Sequence, residues 1–215
     1  MSHHHHESSS YQSPISIEPF NHINIDQCIK ICGKNRDAHY SHHTKIFDVK
    51  SQVVVKINSK TYKLVEYHFH VPSEHIINGK RYPAEIHYVF IEYNDDESDS
   101  DSDSDSHESH KSKKSHESRE RQCACCSEHY DNNLLVIART IKCTKRKQKL
   151  KDIQVKIPHT YYEYDGTLTE GELKPVRWII GKYPIYLNIK QIECIAKPAR
   201  PIQELDGRII LLSST

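Results

Sequence analysis

The chain has 215 residues, of which 36% are hydrophobic, and its 30 Lys and Arg almost balance its 29 Asp and Glu. This length and hydrophobic content suit one domain with a modest core. The near-neutral charge argues against a general affinity for nucleic acid, and no apolar run approaches the roughly 20 residues that span a bilayer. The composition therefore predicts a single domain that binds neither nucleic acid nor membrane.

The two ends of the chain and its cysteines bear on its organisation. Residues 1–10 are rich in His and Ser and lack the apolar core of a secretory signal, so we predict a disordered tail followed by one domain over 11–215. Seven cysteines are an odd number, and Cys123, Cys125 and Cys126 crowd within a polar segment. This placement argues against a disulfide framework and favours a reducing, cytoplasmic or other intracellular setting.

Short apolar segments are spread along the chain and predict a β-dominated fold. They alternate or run short, which is typical of strands, and they lie at 53–57, 62–65, 185–187 and 209–212. Long helical periodicity is scarce, and residues 189–195 are one candidate for a short helix.

Three histidines occupy positions that predict a metal site on paired strands. His68 and His70 are two residues apart and therefore point to the same face of a strand. His87 lies in a second alternating segment, and Asn78-Gly79 between the two segments is a strong hairpin signal. Antiparallel pairing would bring the three imidazoles together. Three His ligands with an open fourth position are typical of a catalytic zinc.

Two carboxylates accompany these histidines. Glu66 lies two residues before His68, and Glu85 lies two residues before His87, each on the face of its histidine. Metal-bound imidazoles usually donate their second N–H to a carboxylate, a carbonyl or water, so both acids are candidate supports for the ligands. A row of polar residues on a solvated strand face is the alternative interpretation.

Residues 94–128 form a polar island. An Asp-Ser repeat over 95–106 precedes a stretch rich in Lys, His and Ser, and such sequence cannot bury enough apolar surface to offset its ordering entropy. We predict a disordered insertion that acts as a solvated spacer or binds a partner. Cys123, Cys125 and Cys126 with His129 could hold a second metal, although free thiols are the simpler interpretation.

The segment from His68 to His87 resembles the signature of the α-class carbonic anhydrases. Further blocks in the family's order lie at 12–15, 134–138, 164–169, 176–178 and 200–208. The resemblance implies a large, twisted, mostly antiparallel sheet with short peripheral helices. It also implies Zn²⁺ held by the three histidines and reversible hydration of CO2 to bicarbonate by a zinc-bound hydroxide.

The resemblance also assigns roles to other residues. Thr169 matches the threonine that accepts a hydrogen bond from the hydroxide, and Glu74 matches the buried glutamate that accepts the threonine proton in turn. The positions that form the apolar substrate pocket are Val89, Val136, Leu168, Val176 and Trp178. Taken singly, these apolar residues could belong to any β-protein core.

Several positions depart from the family pattern. Lys45 stands where the proton-shuttle histidine is expected, and a lysine relays protons poorly at neutral pH, so the nearby His43 or His42 is the candidate shuttle. Glu66 replaces a glutamine, which should raise the pKa of the zinc-bound water. Glu170 replaces a threonine, and its charge should disfavour anions at the pocket entrance.

A different class of function also fits the resemblance. Catalytically weak or inactive relatives act as attachment or interaction proteins, with a glycan or protein as partner. Local basic runs at 142–151 and 111–114 could serve such a role, although a charge run is usually a solvated face. Inactive relatives lose zinc histidines, whereas this chain has all three, which favours the enzyme.

Overall fold

The computed structural model describes residues 11–19, 21–93 and 134–214. The predicted disordered tail and the insertion at 94–128 lie outside the described residues. The same is true of the proposed second metal site at Cys123, Cys125, Cys126 and His129.

Strands dominate the described residues. They are β1 Ser16–Ile17, β2 Ile23–Ile25, β3 Ile29–Cys32, β4 His39–Ser41, β5 Ile46–Asp48, β6 Val54–Ile57, β7 Lys60–Val71, β8 Ile76–Ile77, β9 Lys80–Arg81, β10 Ala84–Glu92, β11 Leu134–Cys143, β12 Thr160–Thr167, β13 Pro175–Leu187, β14 Lys197–Pro198 and β15 Leu211–Ser214. The helical elements of this part of the chain are the helix α1 (Ile189–Ile192) and a 3₁₀ helix at Leu150–Asp152.

One large mixed sheet contains twelve of these strands. Its main path runs β2-β15-β12-β13-β11-β10-β7-β5-β4, with β6 and β14 also paired to β7 and β3 paired to β6. Most pairs are antiparallel, and the parallel ones are β11 with β13, β14 with β7 and β15 with β2. The mainly β fold with a large, twisted, mostly antiparallel sheet is therefore confirmed.

The sheet separates two apolar clusters because successive side chains of a strand point to opposite faces. On β10, Ile86, Tyr88 and Phe90 join the larger cluster, while Val89 joins the smaller one. The larger cluster is rich in aromatic rings, and Phe47 stacks on Tyr67 with ring centroids 4.8 Å apart. His87 alternates with Tyr88 and therefore lies on the face of the smaller cluster.

The Asn-Gly signal marks a hairpin, but between different strands from those expected. Asn78 and Gly79 both have positive φ, as a tight two-residue hairpin turn requires, and they connect β8 to β9. These two short strands belong to a separate three-stranded sheet with β1. The histidine strands β7 and β10 are instead joined by the whole excursion over residues 72–83.

The other sequence predictions are met to different degrees. Residues 54–57 of the segment 53–57 form β6, residues 62–65 fall in β7, and residues 185–187 end β13. The candidate helix at 189–195 is shorter than predicted, since α1 ends at Ile192. Of the segment 209–212, only its last two residues are in β15.

Two further observations concern possible membrane-spanning helices and the state of the cysteines. None of the helices in the described ranges has the length and apolar character needed to cross a membrane. The cysteines within these ranges, Cys28, Cys32, Cys143 and Cys194, are free and exposed.

Candidate metal site and pocket

The register between β7 and β10 brings the three histidines together. His87 pairs directly with His68, and His70 follows His68 on the same face of β7. The ring centroids of His68 and His87 are 5.3 Å apart, and those of His70 and His87 are 4.7 Å apart. All three side chains are buried.

Two of the histidines have an outer nitrogen with a fixed oxygen partner. His68 Nδ1 lies 3.2 Å from Glu66 Oε1, and His70 Nδ1 lies 3.1 Å from the backbone oxygen of Pro198. The parallel pairing of β14 with β7 places Pro198 there. These contacts occupy Nδ1 of both rings, so that Nε2 of each ring is the nitrogen available to a metal ion.

The third histidine is held by a buried carboxylate. Glu85 Oε1 lies 3.0 Å from His87 Nε2 and 2.7 Å from His75 Nδ1, while Glu85 Oε2 accepts a hydrogen bond of 2.8 Å from the His75 backbone N–H. Burial by itself would raise the pKa of Glu85, but His75 and His87 hold that pKa well below its usual range. Glu85 therefore stays ionised and leaves His87 Nδ1 for another partner.

The hydrogen-bond chain continues beyond His75 to the N-terminal segment. His75 Nε2 lies 2.7 Å from the Tyr164 hydroxyl, which lies 3.1 Å from Ser13 Oγ. All of these groups are buried, and burial raises the pKa of Tyr164. The sequence interpretation assigned no role to His75, Tyr164 or Ser13, although all three lie in blocks that resemble the family.

The chemistry of the cluster fits a metal ion. Burial, reinforced by the neighbouring imidazoles, lowers the pKa of His68 well below its usual range, and burial lowers those of His70 and His87 as well. The rings are therefore neutral at pH 7, which is the state that binds metal. His70 Nε2 is buried without a hydrogen-bond partner. One nitrogen from each of the three rings lies within 4.8 Å of the others.

Glu74 lies beside this cluster, but it does not form the hydrogen bond with Thr169 that the resemblance implied. Glu74 Oε1 accepts a hydrogen bond of 2.9 Å from the Arg200 backbone N–H and lies 3.4 Å from His70 Nδ1. Glu74 Oε2 is buried without a partner, 3.9 Å from His87 Nδ1. Thr169 is buried in the turn after β12, and its hydroxyl does not donate to Glu74 in this conformation.

The five predicted pocket residues lie in one apolar cluster on the histidine face. The register aligns three of them across neighbouring strands, since Val89 pairs with Val136 and Val136 pairs with Trp178. Val176 is buried in the same cluster, and Leu168 packs against it. Trp178 contacts His87 edge to face at 5.0 Å between ring centroids. The apolar wall and the histidines are thus in direct contact.

The candidate proton-transfer residues lie in the tight turn between β4 and β5. His43 is exposed in this turn, and His42 packs edge to face on Tyr40 at 4.8 Å. Lys45 has positive φ, and its Nζ donates a hydrogen bond of 2.9 Å to the backbone oxygen of Ala196. Lys45 therefore fixes the turn to a neighbouring segment, whereas His43 stays in contact with solvent.

The remaining departure from the family pattern, Glu170, forms an ion pair that the sequence did not predict. Its Oε2 lies 2.7 Å from Lys197 Nζ. Burial raises the pKa of the nearby Glu66, an effect that the charge of Lys197 opposes. No local pattern identifies Lys197, because it lies 27 residues from Glu170 along the chain.

Comparison with known proteins identifies the family of the chain. The sequence profile of the eukaryotic-type carbonic anhydrases matches residues 2–214. A carbonic anhydrase of Pectobacterium atrosepticum is 25% identical over 212 residues, which cover 95% of this chain and 81% of the relative. The chain belongs to the eukaryotic-type, α-class carbonic anhydrase family.

Solved structures show the same fold. The α-carbonic anhydrase of Photobacterium profundum superposes with a TM-score of 0.63 at 20% identity, covering 95% of this chain and 90% of that one. A hyperthermostable carbonic anhydrase from an active hydrothermal vent chimney gives a TM-score of 0.65 at 21% identity, covering 96% and 89%.

Proposed function

We propose that this protein is a zinc-dependent carbonic anhydrase that catalyses the reversible hydration of CO2 to bicarbonate. The observation that carries the proposal is the three-histidine cluster. Its outer nitrogens have fixed oxygen partners, and its inner nitrogens converge within 4.8 Å. Three histidine ligands leave a position open for a reacting molecule, as in catalytic rather than structural zinc sites.

His68, His70 and His87 would hold the metal through their inner nitrogens. Zn²⁺ in such a site acts as a Lewis acid that lowers the pKa of a bound water to about 7, an effect for which carbonic anhydrase itself is the reference example. Glu85 fixes the ring of His87 and increases its basicity as a ligand, and the Pro198 carbonyl fixes His70 in the same way.

The apolar wall gives the substrate a place beside the histidines. CO2 is small and uncharged, so it can contact an apolar surface with little cost in desolvation. Val89, Val136, Leu168, Val176 and Trp178 supply that surface on the histidine face. We assign the orientation of the attacking water to Thr169 and Glu74, because Glu74 Oε2 is buried and free to accept a proton donor.

Proton release to solvent is assigned to His43. The family position for this role is occupied by Lys45, which is engaged with the Ala196 carbonyl. The imidazole of His43 is exposed and can exchange protons with buffer. Because His43 lies two residues from the family position, we expect slower proton transfer and a modest turnover.

The test combines a metal assay with a rate assay on the same preparation. The full chain, loaded with Zn²⁺ and freed of excess metal, should contain one zinc per molecule and accelerate CO2 hydration in stopped flow. The matched control is His87→Ala, which should lose both the zinc and the activity. Treatment with a chelator followed by return of Zn²⁺ should remove and then restore the rate.

A different result would favour the alternative function. If zinc is bound stoichiometrically but CO2 hydration stays at the background rate, catalysis is excluded and a binding role for the fold becomes the better proposal. Retention on a heparin column at roughly physiological ionic strength would then indicate a polyanionic glycan as the partner.

A further inference from the structure

The Glu170–Lys197 ion pair connects two segments at the edge of the histidine cluster. The Lys197 side chain is 13% exposed and that of Glu170 is 34% exposed, with 2.7 Å between Nζ and Oε2. Glu170 directly follows Thr169, and Lys197 begins β14, where it pairs with His70 of β7. The pair therefore lies between the turn that carries Thr169 and the strand that carries two of the histidines.

The charges of both residues reach the site. Burial is the main cause of the lowered pKa of His68, and the charge of Lys197 lowers it further. Burial also lowers the pKa of His87, and the charge of Glu170 acts in the opposite direction. A charged molecule bound among the histidines would interact electrostatically with the same two side chains, Lys197 and Glu170.

The ion pair determines the electrostatic interaction that an anion would have with Lys197 and Glu170. A lone ammonium at this position would attract an anion into the pocket, and a lone carboxylate would repel it. Opposite charges 2.7 Å apart largely cancel at greater distances. Lys45, which directly precedes the strand β5 that pairs with β7, donates from its Nζ to the Ala196 carbonyl.

We propose that the Glu170–Lys197 pair determines selectivity at the pocket entrance by keeping Lys197 from binding anions while leaving the path open to a neutral substrate. An anion such as bicarbonate must displace Glu170 from Lys197 to gain an attractive contact. This inference rests on the proposed function of the site. It changes the expectation for Glu170 alone, because its charge is compensated and does not simply repel.

The test measures anion affinity, not rate. The chain is loaded with Co²⁺ in place of Zn²⁺, its metal content is determined, and thiocyanate and bicarbonate are titrated while the visible absorption of the metal is followed. Glu170→Gln should tighten binding of both anions roughly tenfold, because the charge of Lys197 is then no longer compensated by Glu170. Lys197→Gln should weaken binding by a similar factor.

Combined variants distinguish a charge effect from a structural one. Two combined variants keep a net charge of zero at these two positions: the double variant Glu170→Gln/Lys197→Gln and the exchanged pair Glu170→Lys/Lys197→Glu. Their anion affinities should lie within about threefold of that of the unsubstituted protein. If the single substitutions acted by disturbing the structure, their effects on anion affinity would add up in the double variant instead of cancelling. Raising the ionic strength should reduce the differences among all variants.

The same turn contains a matched control. Glu172 pairs with Lys174 at 3.3 Å, with side chains 80% and 57% exposed. Glu172→Gln removes the same charge from solvent-exposed surface and should change anion affinity by less than about twofold. Metal-loaded single variants of the proposed pair that bind anions like the unsubstituted protein, or that shift in the same direction, would overturn this inference. Failure of the unsubstituted protein to bind metal would overturn it together with the proposed function.

Discussion

The floor and the entrance of the pocket hold their polar groups by different means. The floor consists of four buried residues, His70, His75, Glu85 and His87. Their contacts are hydrogen bonds between 2.7 and 3.1 Å, each with a defined partner. A buried network of this kind fixes ring orientation, since an alternative arrangement would leave polar groups without partners.

The entrance consists of Lys45, Glu66, Glu170 and Lys197, which are partly exposed. Its defining contact is an ion pair between two flexible side chains, Glu170 and Lys197. Ion pairs near the surface contribute little to stability and respond to salt. On the proposed function, we therefore expect substitutions in the floor to change metal affinity, and substitutions at the entrance to change anion affinity and proton release.

The largest expected effect is a loss of zinc affinity when one of the candidate ligands is removed. His70→Ala removes a buried ring whose Nε2 has no other partner, so we expect zinc affinity to fall by more than about 100-fold. The measurement is zinc competition against a chromogenic chelator. The exposed His43→Ala is the control and should keep full affinity. Retention of tight zinc binding by His70→Ala would show that the metal lies elsewhere.

A smaller effect is expected from the carboxylate that supports the floor. Glu85→Gln leaves the ligand set intact but removes the charged acceptor of both His75 and His87, and zinc affinity should fall roughly 10- to 100-fold. Glu92→Gln, at the surface end of the same strand, provides the matched control. Equal affinities for the two variants would remove Glu85 from the metal site.

The hydrogen-bond chain of the floor also predicts a stability effect. Tyr164→Phe leaves His75 Nε2 and Ser13 Oγ without this partner, so the free energy of unfolding should decrease by about 1–3 kcal/mol. Urea denaturation of the metal-free protein measures it. Tyr186→Phe, at a side chain that is 61% exposed, should change stability by less than about 0.5 kcal/mol.

The smallest effect concerns proton release at the entrance. His43→Ala should lower CO2 hydration several-fold in dilute buffer and leave it almost unchanged in concentrated imidazole, which replaces the side chain as a proton carrier. His39→Ala, an exposed histidine on β4, is the control. A rate independent of both the substitution and the buffer would exclude His43 from proton transfer.

Local patterns predicted part of the site for clear physical reasons. His68 and His70 share a face because strand side chains alternate, and this requires no knowledge of the tertiary fold. The same rule placed Glu66 and Glu85 next to their histidines, where the structure has contacts of 3.2 and 3.0 Å. Recognition of the family blocks supplied Glu74, Thr169 and the apolar wall, which no local pattern distinguishes from core or turn residues.

Other features depend on register and could not be predicted. The Asn-Gly turn correctly indicated a hairpin, but the hairpin joins β8 and β9, so it does not set the alignment of His87 with His68. That alignment follows from the full β7–β10 ladder and its irregularity between Val89 and Phe90. The resemblance implied a Thr169–Glu74 hydrogen bond, whereas Glu74 Oε1 accepts from the Arg200 backbone N–H and Oε2 has no partner.

The β-dominated fold, the three candidate ligands and the strand face of each could be predicted from the chain alone, because they follow from side-chain alternation and residue chemistry. The contact of His70 with the carbonyl of Pro198, 128 residues away, and the ion pair of Lys197 with Glu170 became evident only from the folded structure. Such contacts join strands and turns that are distant in the chain. Their partners are set by how the whole sheet aligns, which no short segment encodes.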